Sequence, residues 1–196
     1  RGQPATPLFL NPQGALSIGI EIGWRHYEVL VLEMSGKTLA SVRRSYAWPD
    51  ANTIFGEIAA EVAAIKSGLT ELQQARLAGI GLATPSKIGR NIGLVRAPEG
   101  QSVLWSSIDP VERLAADTGL PVQWFNDGNA ACWAEMMAQP NPRPQGFSYF
   151  QIGTFGGAGL VANGELWEGN GHAANLGSML VCDEDGKPTF VHLIAS

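Results

Sequence analysis

The segment PVQWFNDGNAACWAEMM (121–137) constrains the fold more than any other part of the chain. The residues from Val122 to Phe125 are typical of a short buried strand, which breaks at Asn126 and Asp127 and runs directly into a helix. In α/β proteins, ligands bind where strands end and the following helices begin. Asn and Asp are also ordinary helix caps. The segment therefore indicates an α/β fold, and local sequence alone leaves Asn126 and Asp127 as either caps or ligand contacts.

The elements before this segment predict the order β-β-β-α-β-α-β. The five strands are LSIGIEIG, HYEVLVLE, KTLASVRRSYAW, AGIGLAT and PVQWF. Apolar residues at helical spacing predict a helix over 53–67, which Gly68 ends. Asp109 and Pro110 open the second helix, and Gly119 ends it. This order is that of a ribonuclease-H-like lobe, the half-unit of the actin-like ATPase and sugar-kinase fold.

The rest of the chain predicts the start of a second lobe. After a Pro-rich stretch at 139–145, the sequence resumes with a strand, a Gly-rich turn and a hairpin at Asn163-Gly164. We therefore divide the chain into a linker (1–14), a first lobe (15–138) and an incomplete second lobe (139–196). Two such lobes would enclose a ligand cleft. The first residue is not Met and the final apolar run looks unfinished, so we expect a piece of a longer protein.

Composition excludes several classes of function. The chain is 45% hydrophobic and 16% charged, which is typical of a globular protein, and its net charge of −5 comes without a basic stripe for nucleic acid. Cys132 and Cys182 lack CxxC spacing, which argues against a disulfide scaffold or a four-cysteine zinc site. No signal peptide or membrane-spanning run is visible. We expect a cytoplasmic protein without a membrane partner.

Two glycine-rich segments are candidates for phosphate binding. They read GIEIGWR at 19–25 and GTFGGAG at 153–159. Glycines between the first two strands of a lobe let backbone N–H groups approach phosphate oxygens, and the candidates are Gly23, Gly157 and Gly159. A tight hairpin that needs positive φ is the simpler explanation of each segment, and spacing alone favours it.

Together these segments resemble the ROK family (repressor, open reading frame, kinase) over about residues 7 to 196. The resemblance rests on the order of a Gly-rich first hairpin, GIGLATP, a Trp followed by a helix opened by Asp-Pro, GLPV, NDGNAA, IGTFGGAGLV and a GxxANLGS loop. The family contains sugar kinases and sugar-responsive transcriptional regulators. In its kinases, the residue that matches Asp127 is the general base for a sugar hydroxyl, and the residue that matches Asn126 hydrogen-bonds the sugar. The resemblance implies a sugar ligand at this pair.

The departures from the kinase pattern concern the nucleotide. Kinases of the family open with D-x-G-G-T-K, whereas this chain reads EIGWRH, so Trp24 replaces the second Gly. The second phosphate turn is usually G-T-G-I-G-G-G, and here Phe155 and Ala158 replace glycines. A side chain at these positions blocks close backbone approach or strains a positive φ. The resemblance therefore implies degenerate sites for ATP and Mg, and we expect no cofactor.

The sugar loop departs as well. The family pattern is G-E-x-G-H, whose Glu and His contact sugar and whose His commonly binds zinc, whereas residues 174–178 read ANLGS. The zinc cysteines that normally follow are replaced by DGKPT at 185–189. We expect no metal, zinc included. Asn175 and Ser178 remain candidates for sugar hydroxyls across the cleft.

The linker RGQPATPLFLNPQG resembles the G-R-P…L-x-x-N-P segment that joins the winged helix-turn-helix of ROK regulators to their sugar-binding body. The leading hypothesis is a non-catalytic sugar-sensing module of a transcriptional regulator, which binds DNA only through a domain before Arg1. The alternative is an ATP-dependent sugar (hexose) kinase with Asp127 as general base. A third hypothesis is a scaffold that binds neither ligand and acts through oligomerisation. The resemblance suggests a homo-dimer or tetramer.

Overall fold

The computed structural model describes residues 5–171 and 179–191. Its first sheet has the order β3-β2-β1-β4-β5; β1 to β3 form an antiparallel meander, and β4 and β5 run parallel to β1. The strands are β1 (Leu16–Ile22), β2 (His26–Glu33), β3 (Thr38–Ser45), β4 (Leu77–Thr84) and β5 (Val122–Asn126). The helices are α1 (Ile54–Ser67), α2 (Glu71–Gln74), α3 (Ile88–Asn91), α4 (Gln101–Ser107), α5 (Pro110–Thr118) and α6 (Asp127–Ala138). The predicted order of strands and longer helices is confirmed.

The main core lies between the first sheet and the pair α1 and α5. Alternate residues of β1 point into it, as period-two strands require, and the buried members are Leu16, Ile18, Ile20 and Ile22. The apolar face of α1 covers them with Ile54, Phe55, Ile58 and Val62. Each such side chain stabilises the fold by about 1.5–3 kcal/mol. The hydrophobic spacing in the sequence therefore identifies the faces of β1 and α1 that form this core.

The caps of α5 form as the sequence predicts. The Asp109 side chain accepts hydrogen bonds from the backbone N–H groups of Val111 (2.8 Å) and Glu112 (3.3 Å), and Pro110 occupies the first turn. Gly119 ends the helix in the left-handed conformation, with φ 70°. These caps fix where α5 ends and β5 begins, and so they help to place the start of α6.

Two features differ from the sequence-based expectation. The segment between β4 and α5 contains α3, a 3-10 turn (Ile92–Val95) and α4, because the buried indole of Trp105 anchors it by donating to the Pro49 carbonyl at 2.8 Å. The prediction that Val122 to Phe125 form a buried strand is wrong, because β5 is the last strand of the first sheet: Gln123 and Trp124 are exposed, and Val122 and Phe125 are half-buried.

The second sheet has the order β6-β7-β8 and is antiparallel. Its strands are β6 (Gly146–Ile152), β7 (Gly156–Ala162) and β8 (Glu165–Leu166), and β9 (Leu180–Cys182) pairs separately with β10 (Pro188–Phe190). The predicted hairpin is confirmed, since Asn163 and Gly164 adopt φ 56° and 77° between β7 and β8. The predicted glycine-rich turn is shorter than expected, because residues 156–159 belong to β7.

Helix α6 packs against β6 and β7, and it also contacts β4 and β5. Its contact with β7 requires glycine on both elements: a Cβ on Gly159 would overlap the Cβ of Cys132 and lie 2.8 Å from the Gly128 carbonyl oxygen, and a Cβ on Gly128 would overlap the backbone of Ala158. Cys132 is fully buried. The helix thus links the two sheets, while the lobe boundary at 138 stays a prediction.

No helix within residues 5–171 and 179–191 has the length and apolar character needed to cross a bilayer.

Candidate functional site at the carboxyl ends of the parallel strands

Three parallel strands of the first sheet end level with one another. Glu21 in β1 lies opposite Ala83 in β4, and Thr84 at the end of β4 lies opposite Asn126 at the end of β5. Side chains that follow these strands therefore lie along one edge of the sheet, where ligands bind in open α/β folds. The structure places Asn126 and Asp127 at this edge, as the sequence predicts.

Asn126 and Asp127 cap α6 and also present polar groups to this edge. The Asn126 amide donates to Asp127 Oδ1 (3.0 Å) and to Ser86 Oγ (3.2 Å), while its oxygen accepts from the N–H of Asn129 (3.3 Å). Asp127 Oδ1 also accepts from the N–H of Gly128 at 2.9 Å. These contacts leave the second carboxylate oxygen of Asp127 without a hydrogen-bonding side chain among the described residues. The capping and ligand-binding interpretations of the pair are therefore compatible.

Burial raises the pKa of Asp127, and the nearby negative charge of Glu21 raises it further. Hydrogen bonds from the Gly128 N–H and the Asn126 amide oppose this shift of the pKa. A carboxylate in this environment is a better proton acceptor than an exposed one, and it gains more from a hydroxyl that donates to it. Asp127 is thus suited to bind a sugar hydroxyl in either proposed role.

Glu21 lies on β1, which is separated by β4 from the strand that leads into Asp127. Its carboxylate is 43% exposed, and Oε2 lies 3.4 Å from Nε2 of His26. Nε2 of His26 is buried and has no hydrogen-bond partner in the described part of the chain, so this close approach is not a hydrogen bond. Glu21 therefore keeps acceptor capacity for a ligand.

Sequence reasoning missed Ser86 and Glu21 as members of this site. Ser86 follows β4 as Asn126 ends β5, so the strand-end rule applied to β4 would have found it. The position of Glu21 near Asp127 depends on which strands are neighbours in the sheet, so the local sequence gives no signal for it. Lys87, next to Ser86, adopts the left-handed conformation with φ 56°, which costs a non-glycine residue about 1 kcal/mol or more.

The two glycine-rich segments meet through aromatic side chains. Trp24 lies in the β1–β2 turn and Phe155 in the β6–β7 turn; their ring centroids are 5.0 Å apart with an interplanar angle of 86°. Both residues are partly buried and pack against the main core. The tips of the two turns are thus filled by protein.

The three candidate phosphate glycines have structural neighbours of their own. The Tyr46 hydroxyl donates toward the carbonyls of Gly23 and His26, each at 2.7 Å, and so fixes the first turn. A Cβ on Gly157 would lie 3.0 Å from Nε2 of Gln151, and Gly159 lies against Cys132. Close packing is sufficient to explain Gly159, and phosphate binding by the three stays a prediction.

The remaining predicted contacts, Asn175 and Ser178, lie outside the described residues. The region expected to lack the zinc cysteines forms the β9–β10 turn, in which Asp183 accepts from the N–H groups of Asp185 (3.0 Å) and Lys187 (2.8 Å). In the part of the chain that the structure describes, no three His, Cys, Asp or Glu side chains are grouped so as to hold a metal ion.

Comparison with known proteins identifies the family. The model of the ROK family matches residues 17–188, which is most of the chain. The chain belongs to the ROK family. Its fold is the actin-like ATPase fold of the sugar kinases.

Relatives of both kinds occur within the family. A glucokinase from Halalkalibacterium halodurans is 33% identical over 113 residues, covering 57% of this chain and 34% of the glucokinase. A xylose repressor from Bacillus spizizenii is 24% identical over 183 residues, covering 92% of this chain and 46% of the repressor. The solved structure of a ROK family transcriptional regulator, a homologue of the E. coli MLC protein, superposes with a TM-score of 0.69 at 20% identity, covering 97% of this chain and 48% of the regulator.

The chain thus spans less than half the length of these relatives. Family membership establishes the fold and a kinship with both sugar kinases and sugar-linked regulators.

Proposed function

We propose that the chain is the sugar-binding effector module of a ROK-type transcriptional regulator, which binds a sugar in the cleft and does not phosphorylate it. The observation that carries this proposal is the contact between Trp24 and Phe155. It involves the two segments that would contact ATP phosphates in a family kinase. The match to a xylose repressor over most of the chain favours the same choice.

The aromatic contact bears on nucleotide binding through space and hydrogen bonding. Phosphate sites in glycine-rich turns work because bare backbone N–H groups reach the phosphate oxygens. Here an indole and a phenyl ring lie edge to face between the turns, and both are held by the main core. A nucleotide would have to displace both rings and separate their contact. We therefore propose that neither ATP nor Mg is a cofactor.

Sugar recognition is assigned to the strand-end groups. Asn126 and Ser86 already hydrogen-bond each other, and Asp127 has acceptor capacity left after capping α6. Together they offer the mixture of donors and acceptors that a polyol requires. On the sequence alone, we propose Asn175 and Ser178 as further sugar contacts.

The regulatory output follows from differential binding. A sugar held between the first sheet and the second would favour one relative position of the two, and a ligand shifts an equilibrium only through such differential affinity. DNA would be contacted by a separate domain of the whole protein, which we propose to be cytoplasmic and a homo-dimer or tetramer.

The second candidate is an ATP-dependent hexose kinase, and the position of Asp127 favours it. The carboxylate lies at the carboxyl end of β5 with its pKa raised by burial, as a general base needs. Phosphoryl transfer would further require the nucleotide to lie within reach of the same hydroxyl. The third candidate, a scaffold without ligands, rests on no contact in this site.

One pair of assays separates the three candidates. Calorimetric titration with D-xylose, D-glucose, D-fructose and D-mannose measures sugar binding, and ADP release with Mg-ATP and the same sugars measures turnover. The variants are Asp127→Ala and Asp127→Asn. The control is Asp117→Asn on α5, away from the site, where the Asp117 carboxylate lies 2.7 Å from Nε of Arg113.

We expect binding of at least one sugar without ADP release. Asp127→Ala should weaken that binding by about tenfold or more, since a hydrogen bond to a charged group contributes about 1.5–3 kcal/mol, while the control binds normally. Sustained ADP release that disappears in Asp127→Asn would establish the kinase instead. If no sugar and no nucleotide binds, the scaffold hypothesis replaces both.

A further inference from the structure

We infer that Glu21 is a specificity determinant of the proposed sugar site and makes it reject sugars that carry a phosphate or carboxylate group, in favour of neutral or amino sugars. This inference rests on the proposed function, because it concerns the ligand of the same cleft. Three features of the described residues carry it: the capping of α6, the charges along the strand ends, and the acceptors left without partners.

The amino terminus of α6 is occupied by its own side chains. A helix amino terminus attracts anions because its first N–H groups lack intrahelical partners. Here the N–H of Gly128 donates to Asp127 and the N–H of Asn129 donates to Asn126. A phosphate or carboxylate of the ligand would have to displace these contacts and lie beside the Asp127 charge.

The charges along this edge are negative. Glu21 and Asp127 flank the end of β4, and Glu21 is the one charged group in the described residues that shifts the pKa of Asp127. Glu21 has His26 beside it, with Nε2 at 3.4 Å, and Glu28 directly opposite on β2. The Glu28 carboxylate lies 3.6 Å from Arg43, which moderates its charge.

The nearby cations have other partners or are exposed. Arg25 adjoins Trp24 in the β1–β2 turn, and its guanidinium donates to the Ala47 carbonyl. Arg44 pairs with Glu61 at 2.7 Å. Lys87 is exposed beside Ser86 and is the one cation that follows β4 directly, so it enters the test below.

Several oxygen atoms at this edge can accept further hydrogen bonds. Asn129, on the first turn of α6, is only 9% exposed, and its Oδ1 has no partner among the described residues. The carboxylates of Glu21 and Asp127 accept as well. Hydroxyl and ammonium groups donate to such oxygens, whereas phosphate and carboxylate groups at neutral pH only accept.

Matched ligands test the inference. Calorimetry on the whole protein compares D-glucose with D-glucose 6-phosphate, D-mannose with D-mannose 6-phosphate, and D-fructose with D-fructose 6-phosphate. D-glucosamine and D-glucuronate extend the comparison to one cationic and one anionic sugar. The variant is Glu21→Gln, which keeps size and removes charge. Glu28→Gln on the neighbouring strand is the control, and thermal unfolding establishes that both variants are folded.

For each sugar that binds, we expect the neutral form to bind at least about tenfold more tightly than its phosphate. The phosphate would be repelled by the negative charges of Glu21 and Asp127. Glu21→Gln should narrow this ratio by at least about threefold, and Glu28→Gln should leave it unchanged. In the wild type, 0.5 M NaCl should also narrow the ratio, since salt screens partly exposed charges. This last measurement does not depend on the fold of any variant.

Equal or tighter binding of a phosphate would overturn the inference while leaving the proposed function intact. Loss of that tighter binding in Lys87→Ala would then identify Lys87 as the phosphate receptor. If Glu21→Gln leaves the affinity ratio of neutral sugar to sugar phosphate unchanged, the role assigned to Glu21 is also wrong. Binding of no sugar in any form would overturn the proposed function itself.

Discussion

The indole of Trp24 and the ring of Phe155 lie edge to face, with their centroids 5.0 Å apart, although 131 positions separate them in the chain. The family kinases that this chain resembles have glycine at both positions. A single replaced glycine could be tolerated by a small shift of one turn. Two replacements that contact each other form a stabilising interaction, which would be lost if a nucleotide took their place.

The coupling between these two rings is measurable. In a double-mutant cycle with Trp24→Ala and Phe155→Ala, we expect a coupling free energy of unfolding of about 0.5–1.5 kcal/mol, as for other edge-to-face pairs. Urea unfolding monitored by circular dichroism provides the measurement. A parallel cycle that combines Phe155→Ala with Trp167→Ala, whose indole is exposed, should show coupling close to zero.

Substitution of Gly159 should be far more costly than substitution of Gly81. A Cβ at Gly159 overlaps Cys132, whereas a Cβ at Gly81 meets nothing within 4 Å. Overpacking typically costs about 1–3 kcal/mol, and we expect Gly159→Ala at or above the top of that range and Gly81→Ala within about 0.5 kcal/mol of wild type. Comparable midpoints of thermal unfolding for the two variants would show that α6 and β7 are not closely packed.

The ionisation of Asp127 and that of Asp50 should affect the stability of the fold in opposite directions. Burial raises the pKa of Asp127 above its ordinary 3.8, so its ionisation opposes folding at neutral pH and that cost disappears below about pH 4. Asp127→Asn should therefore raise the unfolding midpoint at pH 7 and have progressively less effect as the pH falls.

Hydrogen bonds from Asn52 and Gln101 lower the pKa of Asp50, so its ionisation contributes stability above pH 3.8 that is lost as the pH falls through its folded pKa. Asp50→Asn should lower the unfolding midpoint at pH 7, with a smaller effect in acid. Thermal scans of both variants between pH 3 and pH 8 test the pair. Shifts of the same sign at pH 7 would contradict the environment described for one of them.

Tyr46→Phe should loosen the turn that carries Trp24. Tyr46 directly follows β3, and its hydroxyl donates a hydrogen bond to the Gly23 carbonyl. The carbonyl of His26 also accepts from the N–H of Gly23 at 2.9 Å. Loss of the hydroxyl leaves a partly buried carbonyl with fewer partners, which should cost about 1–2 kcal/mol of unfolding free energy. The control is Tyr149→Phe, which we expect within about 0.5 kcal/mol of wild type.

The parts of the fold that follow from local chemistry were predictable. Period-two burial in β1, the Asp109 and Gly119 caps and the Asn163-Gly164 turn each depend on a few consecutive residues. The helices between β4 and α5 were missed because Trp105 and Gln101 are fixed by partners about fifty positions earlier, at Pro49 and Asp50. Spacing along a sequence carries no signal for such contacts.

The site divides in the same way. Asn126 and Asp127 follow from the break between strand and helix, and Ser86 from the same rule applied to β4. The position of Glu21 beside them depends on which strands are neighbours in the sheet. The contact between Trp24 and Phe155 depends on how the second sheet meets the first, which neither glycine-rich segment reveals alone.

The close fit of Gly159 under Cys132 has a mechanical consequence. Helix α6 begins with the two residues assigned to the sugar, and further along it meets β7 with no room for a single additional methyl group. This close packing leaves the side chains no room to take up a displacement, so a movement of the first turn of α6 would also move β7. Ligand contact at Asp127 is thereby coupled to the second sheet through the packing of α6 on β7.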